Sequence, residues 1–196
     1  MTEVVLVRHG ETAWTVTRQH TGKTDLPLNE EGERQARLVG RALRGRSFGL
    51  VLTSPLRRAG QTCELAGFGS LAQVREELAE WDYGDYDSRT TAEIRAERPD
   101  WSLWSDGVSG GETAADVGRR ADRVIAELRA AQVDVLVFGH GHQLRVLAAR
   151  WLGLEPADGR LFALSTGSIS ILGYEHENAV LSRWNEPLEA ANGEAG

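Results

Sequence analysis

The sequence contains one cysteine and one lysine, and these two scarcities exclude several kinds of site. Cys63 has no second cysteine with which to form an intrachain disulfide, and a four-cysteine zinc site is excluded for the same reason. Lys23 stands against 21 arginines, a bias typical of the codon usage of a GC-rich genome. Positive charge is also in the minority, since 22 Lys+Arg against 29 Asp+Glu give a formal net charge of −7. This balance disfavours a general nucleic-acid binder, because affinity for a phosphate backbone needs clustered positive charge.

Long apolar runs are missing as well. No stretch of about 18 apolar residues occurs, and residues 1–30 contain no basic segment followed by an apolar one. We therefore expect a cytoplasmic protein that does not bind membranes. The 196 residues, of which 41% are hydrophobic and 26% charged, suit one globular domain. We place that domain at residues 1–188 and predict a flexible tail of small and polar residues at 189–196.

Short apolar runs alternate with helical patterns along the chain. Strands are predicted where apolar residues run together, and helices where they recur every three or four positions. The predicted strands are 4–7, 48–52, 133–138, 164–174 and 180–184, and the predicted helices are about 30–44, 55–66, 91–98, 112–131 and 143–153. This alternation predicts an α/β fold, a three-layer α/β/α sandwich with a mostly parallel central sheet.

Three of the predicted strands end in polar residues that suit phosphate chemistry. Arg8 and His9 follow the first strand, Arg58 follows the second, and His140 and His142 follow the third. Because ligands bind beyond the carboxyl ends of parallel strands, we expect these side chains at one edge of the sheet. Arginine forks bind phosphate oxygens, and a neutral imidazole can attack phosphorus. A histidine after a strand is more often structural when taken alone, so it is the coincidence of the groups that favours catalysis.

These motifs resemble those of the histidine phosphatase superfamily, which includes the cofactor-dependent phosphoglycerate mutases. The resemblance covers nearly the whole chain in the family's order. It rests on residues 8–14 (RHGETAW), 21–22 (TG), 26–32 (LPLNEEG), 54–62 (SPLRRAGQT), 111–113 (GET) and 139–141 (GHG).

The resemblance implies roles for individual residues. His9 matches the nucleophile that becomes phosphorylated, and His140 matches the second histidine, which contacts the phosphoryl group. Arg8 and Arg58 match the arginines that clamp the phosphate. Arg58 is preferred over Arg57 because the family's arginine directly precedes an alanine.

A leaving alkoxide needs a proton donor, for which the stretch 78–84 offers Glu80 and Asp82. Glu80 matches the family's acid, because it stands four residues before Gly84, and Asp82 is the weaker candidate. The remaining predicted substrate-binding residues are Thr15, Thr21, Gly22 and His142.

Other residues near these motifs have two interpretations each. Four aromatic residues can form an apolar or sugar-stacking wall over the site or pack a subdomain core, namely Trp81, Tyr83, Trp101 and Trp104. Packing is favoured for Trp101 and Trp104. His20 either touches substrate or faces solvent. The segment 166–168 (TGS) can offer a backbone N–H group to phosphate.

Two features separate this chain from the mutases of the family. Thr15 stands where the mutases carry asparagine, and the chain lacks the insertions that keep water from the phosphohistidine. The stretch 80–113 resembles the branch that holds sedoheptulose bisphosphatases and broad acid phosphatases. The resemblance therefore implies a phosphomonoester hydrolase for small phosphorylated metabolites such as sugar phosphates. A phosphoglycerate mutase and a non-catalytic phospho-ligand binding module stay open as alternatives.

Other phosphate chemistries do not fit the spacing. A P-loop that ends at residues 22–24 needs a glycine where Thr17 stands, and a cysteine phosphatase needs an arginine where Gly69 stands. Cys63 is therefore expected as a buried helix residue. We expect no metal and no cofactor, because no further His or Cys cluster accompanies His140 and His142. The expected partner is a small phosphorylated metabolite, and a homodimer is left open.

Overall fold

The computed structural model describes residues 2–188, and the predicted tail at 189–196 lies outside the described residues. None of the helices in this range has the length and apolar character needed to cross a membrane. The single domain over residues 1–188 stays a prediction.

Strands and helices alternate along the described chain. The strands are β1 (Val4–Arg8), β2 (Leu50–Thr53), β3 (Ala72–Val74), β4 (Val135–Gly139), β5 (Ile169–Glu175) and β6 (Asn178–Glu186). The helices are α1 (Ala13–Thr17), α2 (Glu30–Ala42), α3 (Arg57–Leu65), α4 (Thr91–Glu97), α5 (Leu103–Asp106), α6 (Ala114–Ala131) and α7 (Gly141–Trp151). Short 3₁₀ turns occupy Gly69–Leu71, Glu76–Leu78, Gly84–Tyr86 and Pro156–Leu161.

The strands form one sheet in the order β3-β2-β4-β1-β5-β6. The first four run parallel, β5 runs antiparallel to β1, and β6 runs antiparallel to β5. The prediction of a mostly parallel sheet is confirmed. As a consequence, the carboxyl ends of β1, β2 and β4 meet at one edge, together with the amino end of β5.

The three-layer arrangement follows from the alternation of side chains along the central strands. Val4 and Leu6 of β1 pack into one core cluster, which also contains residues of α6 and α7. Val5 and Val7 pack into a second cluster with residues of α2 and α3. Both faces of the sheet are therefore covered by helices, as the near-continuous apolar runs predict.

The predicted late strand is wrong in its first half. Residues 164–168 do not extend β5, because Gly167 turns the chain with φ +64 and its N–H donates to the carbonyls of Arg8 and His9. The helix predicted from 143 begins two residues earlier, at Gly141. The short edge strand β3 was not predicted, since it has only three residues and none of them is buried.

Candidate active site

A cleft of about 250 Å³ opens at the edge where β1, β2 and β4 end. Six of the nine predicted site residues line it: Arg8, His9, Thr15, Thr21, Glu80 and His142. Gly22, Arg58 and His140 lie behind its wall, and all three are buried. The volume is below that of pockets for drug-sized ligands and suits a small metabolite.

His9 lies directly after β1 and is only 3% exposed. Its Nδ1 lies 2.7 Å from the carbonyl oxygen of Gly10, so Nδ1 carries the hydrogen and Nε2 keeps a free lone pair. Burial lowers the pKa of His9 well below 6.5, and the charges of Arg58 and Arg8 lower it further. The ring is therefore neutral at pH 7, as a nucleophile must be.

A glycine is required next to His9. A Cβ on Gly10 would lie 2.3 Å from the carbonyl oxygen of Gly32 in α2, which leaves no room for any side chain. The N–H of Gly10 donates to the hydroxyl of Thr62 in α3 at 3.0 Å. The loop that carries His9 is thus fixed against both helices on its face of the sheet.

His140 stands beside His9, with the two ring centroids 5.1 Å apart. Its Nε2 lies 2.7 Å from the hydroxyl of Ser54, which already accepts the N–H of Leu56. When the Ser54 hydroxyl donates to Nε2, the hydrogen of a neutral His140 lies on Nδ1. Burial first, and the nearby arginine and histidine charges second, lower the pKa of His140 well below 6.5.

Arg58 is fully buried, and backbone carbonyls hold its guanidinium group in place. Its terminal nitrogens donate to the carbonyls of Thr21, Gly22 and Thr24 at 2.8–3.1 Å. Arg8 donates in the same way to the carbonyl of Leu164. These neutral acceptors satisfy N–H groups but leave the positive charges of both arginines available to an anion.

Buried nitrogen atoms without partners mark the place where that anion would bind. Among residues 2–188, the buried side-chain atoms that lack a hydrogen-bond partner are Nε of Arg8, Nε of Arg58, Nδ1 of His140 and the amide atoms of Gln143. Such atoms are rare in folded proteins because each unmade bond is costly. Nε of Arg8 and Nε of Arg58 are N–H donors near His9, and Nδ1 of His140 is a third when Ser54 donates to its Nε2; phosphoryl oxygens are suitable acceptors for all three.

Glu80 reaches the cleft from the loop before the 3₁₀ turn Gly84–Tyr86. Its carboxyl group accepts the N–H groups of Trp81, His142 and Gln143 at 2.9–3.1 Å, which fixes it at the amino end of α7. Asp82 is placed differently, since it pairs with Lys23 at 2.6 Å and is not among the residues lining the cleft. The geometry favours Glu80 as the acid.

The wall above Glu80 is built from an imidazole and a phenol. The hydroxyl of Tyr83 lies 2.5 Å from Nδ1 of His142. Because burial raises the pKa of Tyr83 well above 10, Tyr83 stays protonated, and its hydroxyl shares a hydrogen bond with Nδ1 of His142. His20 lines the cleft next to Tyr83, with ring centroids 4.7 Å apart, and burial lowers the pKa of His20.

The tryptophans of this segment serve packing. Trp81 and Trp101 are 0% and 2% exposed and belong to the core. Trp104 packs against the same core from a partly buried position. Packing was the favoured expectation for Trp101 and Trp104, and Trp81 packs in the core as well. Of the four aromatic residues, Tyr83 is the one that lines the cleft.

Several predicted contacts are used internally instead. The N–H of Gly22 donates to the carboxylate of Asp87 at 2.7 Å. The hydroxyl of Thr15 completes the capping box of α1 with Thr12, although Thr15 lines the cleft. The N–H of Gly167 donates to the carbonyls of Arg8 and His9 at the end of β1, so it is not available to phosphate.

Sequence reasoning missed three residues of this site. Ser54 orients His140, and Arg18 and Arg145 line the cleft. Arg145 lies four positions after Gly141 on α7, and positions that far apart share one face of a helix. That spacing was the available signal. Ser54 opens the motif 54–62 directly after β2, which was its signal, whereas Arg18 gave none without the fold.

The sequence also offered a cysteine and a pair of histidines as candidates for other chemistries. Cys63 is buried as predicted, and burial raises the pKa of its thiol to about 12, so it does not form the reactive thiolate at pH 7. Within residues 2–188, no group of three or more His, Cys, Asp or Glu side chains stands close enough to hold a metal ion.

Comparisons with known proteins agree with this chemistry. The family model described as "Histidine phosphatase superfamily (branch 1)" matches residues 4–187. The chain is 41% identical over 197 residues to an acid phosphatase of Mycobacterium tuberculosis, with 97% of each protein covered. It is 32% identical over 239 residues to a sedoheptulose 1,7-bisphosphatase of Saccharomyces cerevisiae, covering 89% of this chain and 88% of that protein. A solved structure of an open reading frame of M. tuberculosis superposes with a TM-score of 0.91 at 40% identity, covering 96% and 99% of the two chains.

Proposed function

The chain belongs to branch 1 of the histidine phosphatase superfamily, and from this membership we infer the roles of its cleft residues. It is a phosphoric monoester hydrolase that acts through a phosphohistidine on small phosphorylated metabolites. One observation carries the assignment of the site. A neutral imidazole with a free Nε2 lies among three buried N–H donors that lack acceptors.

In the first step, Nε2 of His9 attacks phosphorus in line with the ester oxygen. The N–P bond forms as the P–O bond breaks, and Glu80 donates its proton to the leaving oxygen. The N–H groups of Arg8, Arg58 and His140 bind the equatorial oxygens, where negative charge is concentrated in the transition state.

In the second step, water hydrolyses the phosphohistidine. Glu80, now ionised, takes a proton from the water as its oxygen bonds to phosphorus and the N–P bond breaks. This returns His9 to its neutral form and Glu80 to its protonated form, and it releases inorganic phosphate. The same carboxyl group acts first as acid and then as base, so a single well-placed carboxyl group suffices.

The substrate class follows from the size of the cleft and from the relatives. A cleft of about 250 Å³ admits a phosphate ester with a short carbon skeleton. The relatives carry the names acid phosphatase and sedoheptulose 1,7-bisphosphatase, which supports sugar phosphates and similar metabolites as substrates. These names favour hydrolysis over the mutase and over a binding module without activity.

We also propose that the enzyme works in the cytoplasm on a free small metabolite, without nucleic acid or membrane. The free and buried thiol of Cys63 is compatible with that location. Subcellular fractionation and sedimentation at micromolar concentration test the location and the homodimer left open by the sequence.

The decisive variant for the function is His9→Ala. Hydrolysis of p-nitrophenyl phosphate should fall by at least about 10³-fold, because the covalent route is lost. His176→Asn is the matched control, since His176 is exposed in the turn between β5 and β6 at a positive φ that asparagine tolerates. With both variants folded by circular dichroism, retained activity in His9→Ala contradicts the nucleophile. Phosphate release from 3-phosphoglycerate without its isomerisation separates the hydrolase from the mutase.

A further inference from the structure

The loop that carries Glu80 has no regular secondary structure of its own. Residues 79–83 lie between the 3₁₀ turns Glu76–Leu78 and Gly84–Tyr86, and neither a helix nor a strand includes them. A proton donor must lie within hydrogen-bond reach of the leaving oxygen, so the position of this loop decides whether Glu80 can act. Bonds to the amino end of α7 hold the carboxyl group, and other residues must hold the backbone.

Arg120 and Glu112 hold the backbone of this loop on both sides of the acid. Nη1 of Arg120 donates to the carbonyls of Glu77 and Ala79 at 2.6 and 3.0 Å. The carboxylate of Glu112 accepts the N–H of Asp82 at 3.0 Å, and the N–H of Glu112 donates to the carbonyl of Asp82 at 2.9 Å. The loop is therefore fixed shortly before and shortly after the residue that carries the acid.

The two side chains also bind each other. Nε and Nη2 of Arg120 donate to the two carboxylate oxygens of Glu112 at 2.7 and 2.8 Å, which is a bidentate contact. The side chains are only 14% and 20% exposed, so water competes little for these bonds. Because Arg120 lies on α6, the longest helix of the described chain, the pair ties the loop to a rigid element.

The segment before α6 approaches the loop closely. A Cβ on Gly111 would lie 2.2 Å from the carbonyl oxygen of Asp82. Nε1 of the buried Trp81 donates to the carbonyl of Glu112 at 2.9 Å. Residues 111–113 (GET) are one of the motifs of the family resemblance, and the two chemical steps leave them without a role. Both contacts join this motif to the loop of the acid.

Side-chain packing does not fix the loop on the side of Arg120. A cavity of about 260 Å³ lies there, and Ala79, Glu80, Glu112 and Arg120 are among the residues that line it. Glu80 is the one lining residue that this cavity shares with the cleft. Because side chains do not fill that space, the backbone has room to shift into it. Hydrogen bonds to Arg120 and Glu112 oppose the shift.

We propose that Arg120 and Glu112 are positioning residues, which hold the loop so that the carboxyl group of Glu80 reaches the leaving oxygen. This proposal rests on the proposed function, because it assigns the pair to the acid step of the phosphohistidine mechanism. The pair does not bind substrate, since all three guanidinium nitrogens of Arg120 already have acceptors in the protein. Its effect should therefore follow the need of the leaving group for a proton, which is large for an alkoxide and small for p-nitrophenolate.

The test compares glycerol 3-phosphate with p-nitrophenyl phosphate in the same enzyme. Because kcat/KM covers the steps up to the phosphohistidine, the later role of Glu80 as a base does not enter. In Arg120→Met, the ratio of kcat/KM for glycerol 3-phosphate to that for p-nitrophenyl phosphate should fall at least about tenfold. Arg120→Lys keeps the charge without the planar fork, so its ratio should fall at least about threefold. The lysine variant decides the test if Arg120→Met does not fold.

Arg123→Met is the matched control. Arg123 lies about one turn further along α6 and contacts the same segment through an exposed ion pair with Glu77, so its ratio should stay at the wild-type value. In a Glu80→Gln background, Arg120→Lys should leave the ratio unchanged, because a residue that acts through Glu80 has no effect once the proton is gone. An unchanged ratio in the folded Arg120 variants would overturn the proposal, even if both rates fell. A further fall of the ratio in the Glu80→Gln background would overturn it as well.

Failure of the proposed function would look different. Hydrolysis of both esters without His9 would contradict the phosphohistidine route, and a wild-type ratio in Glu80→Gln alone would contradict the acid. If Glu80→Gln lowers the ratio and the Arg120 variants do not, the positioning proposal alone fails.

Discussion

The arginines of the cleft and those of the outer helices have opposite surroundings. On α2, Arg34 and Arg37 pair with Glu31 and Glu33 in exposed positions. In the cleft, Arg58 is fully buried and only neutral carbonyls accept its hydrogen bonds. Arginine therefore has two uses in this molecule. On the outer helices its charge is paired with a carboxylate, whereas at the site its hydrogen bonds go to neutral carbonyls and its charge stays available to an anion.

The difference also shows where the molecule gives up stability for function. An exposed ion pair contributes about 0–1 kcal/mol and is screened by salt. A buried cation beside neutral acceptors is unfavourable until an anion arrives, because carbonyls do not compensate its charge. The chain keeps several such groups around His9, which is why a negative molecule can bind an anionic substrate.

The largest effect is expected at the buried carboxyl group. In Glu80→Gln, kcat for glycerol 3-phosphate should fall about 10²–10⁴-fold, because the leaving alkoxide then lacks a proton donor. p-Nitrophenyl phosphate should lose much less, since its leaving group departs without a proton. Steady-state kinetics with both substrates measures the contrast.

Asp82→Asn is the control for Glu80, because Asp82 pairs with Lys23 outside the cleft. Its kcat should change by less than a factor of about 2 with either substrate. A larger loss in Asp82→Asn than in Glu80→Gln would move the acid to Asp82.

The next effect compares two adjacent arginines of α3. Arg58→Met should lower kcat/KM for p-nitrophenyl phosphate by about 10²–10³, since a charged donor of the transition state is lost. Arg57→Met should lower it by less than a factor of about 2, because Arg57 is exposed, whereas Arg58 is buried and its Nε has no acceptor. Equal losses in the two variants would contradict the preference for Arg58.

A smaller effect concerns protonation of the nucleophile. Burial and the charges of Arg58 and Arg8 lower the pKa of His9 well below 6.5, so its ring should stay neutral at pH 5.5. An imidazole of ordinary pKa would be about tenfold depleted in its neutral form at that pH. Nitrogen NMR of labelled histidine follows the ring, with the His9 signal assigned by its absence in His9→Gln.

The same protein unfolded in urea provides the reference for this titration. There His9 is solvated and should titrate near pH 6.5. Titration of His9 near 6.5 in the folded protein as well would mean that the ring is neither desolvated nor close to the two arginines.

The smallest effect is expected at the surface. Arg34→Gln removes an exposed i,i+3 ion pair with Glu31, and the free energy of unfolding should change by less than about 0.5 kcal/mol. Urea unfolding measures this value. A change above about 1 kcal/mol would weaken the contrast between the paired outer arginines and those of the cleft.

The parts of the fold that could be predicted are those in which the information is local. A few consecutive residues are enough to predict β1 and β4 from their apolar runs. The same holds for α6, which is predicted from the spacing of its apolar residues. The carboxyl-end rule then brings the residues that follow β1, β2 and β4 to one edge without knowledge of the loops. The family motifs added the roles of these residues, which stay predictions until variants are measured.

The parts that could not be predicted depend on contacts between distant segments. The late strand begins at Ile169 because the N–H of Gly167 donates to the carbonyls of Arg8 and His9, which are far away in the sequence. Likewise, Arg145 becomes a fixed cation only through Trp104 and Gly159. Neither contact leaves a pattern in the residues that surround it.

The most direct test of the central claim is capture of the covalent intermediate. The enzyme is mixed with a ³²P-labelled phosphate ester and quenched within milliseconds, and the labelled peptide is identified. We predict a label that is stable in alkali, is lost in acid and lies on His9, with none in His9→Ala. A label on another residue, or hydrolysis in the pre-steady state without any protein-bound phosphate, would contradict the account.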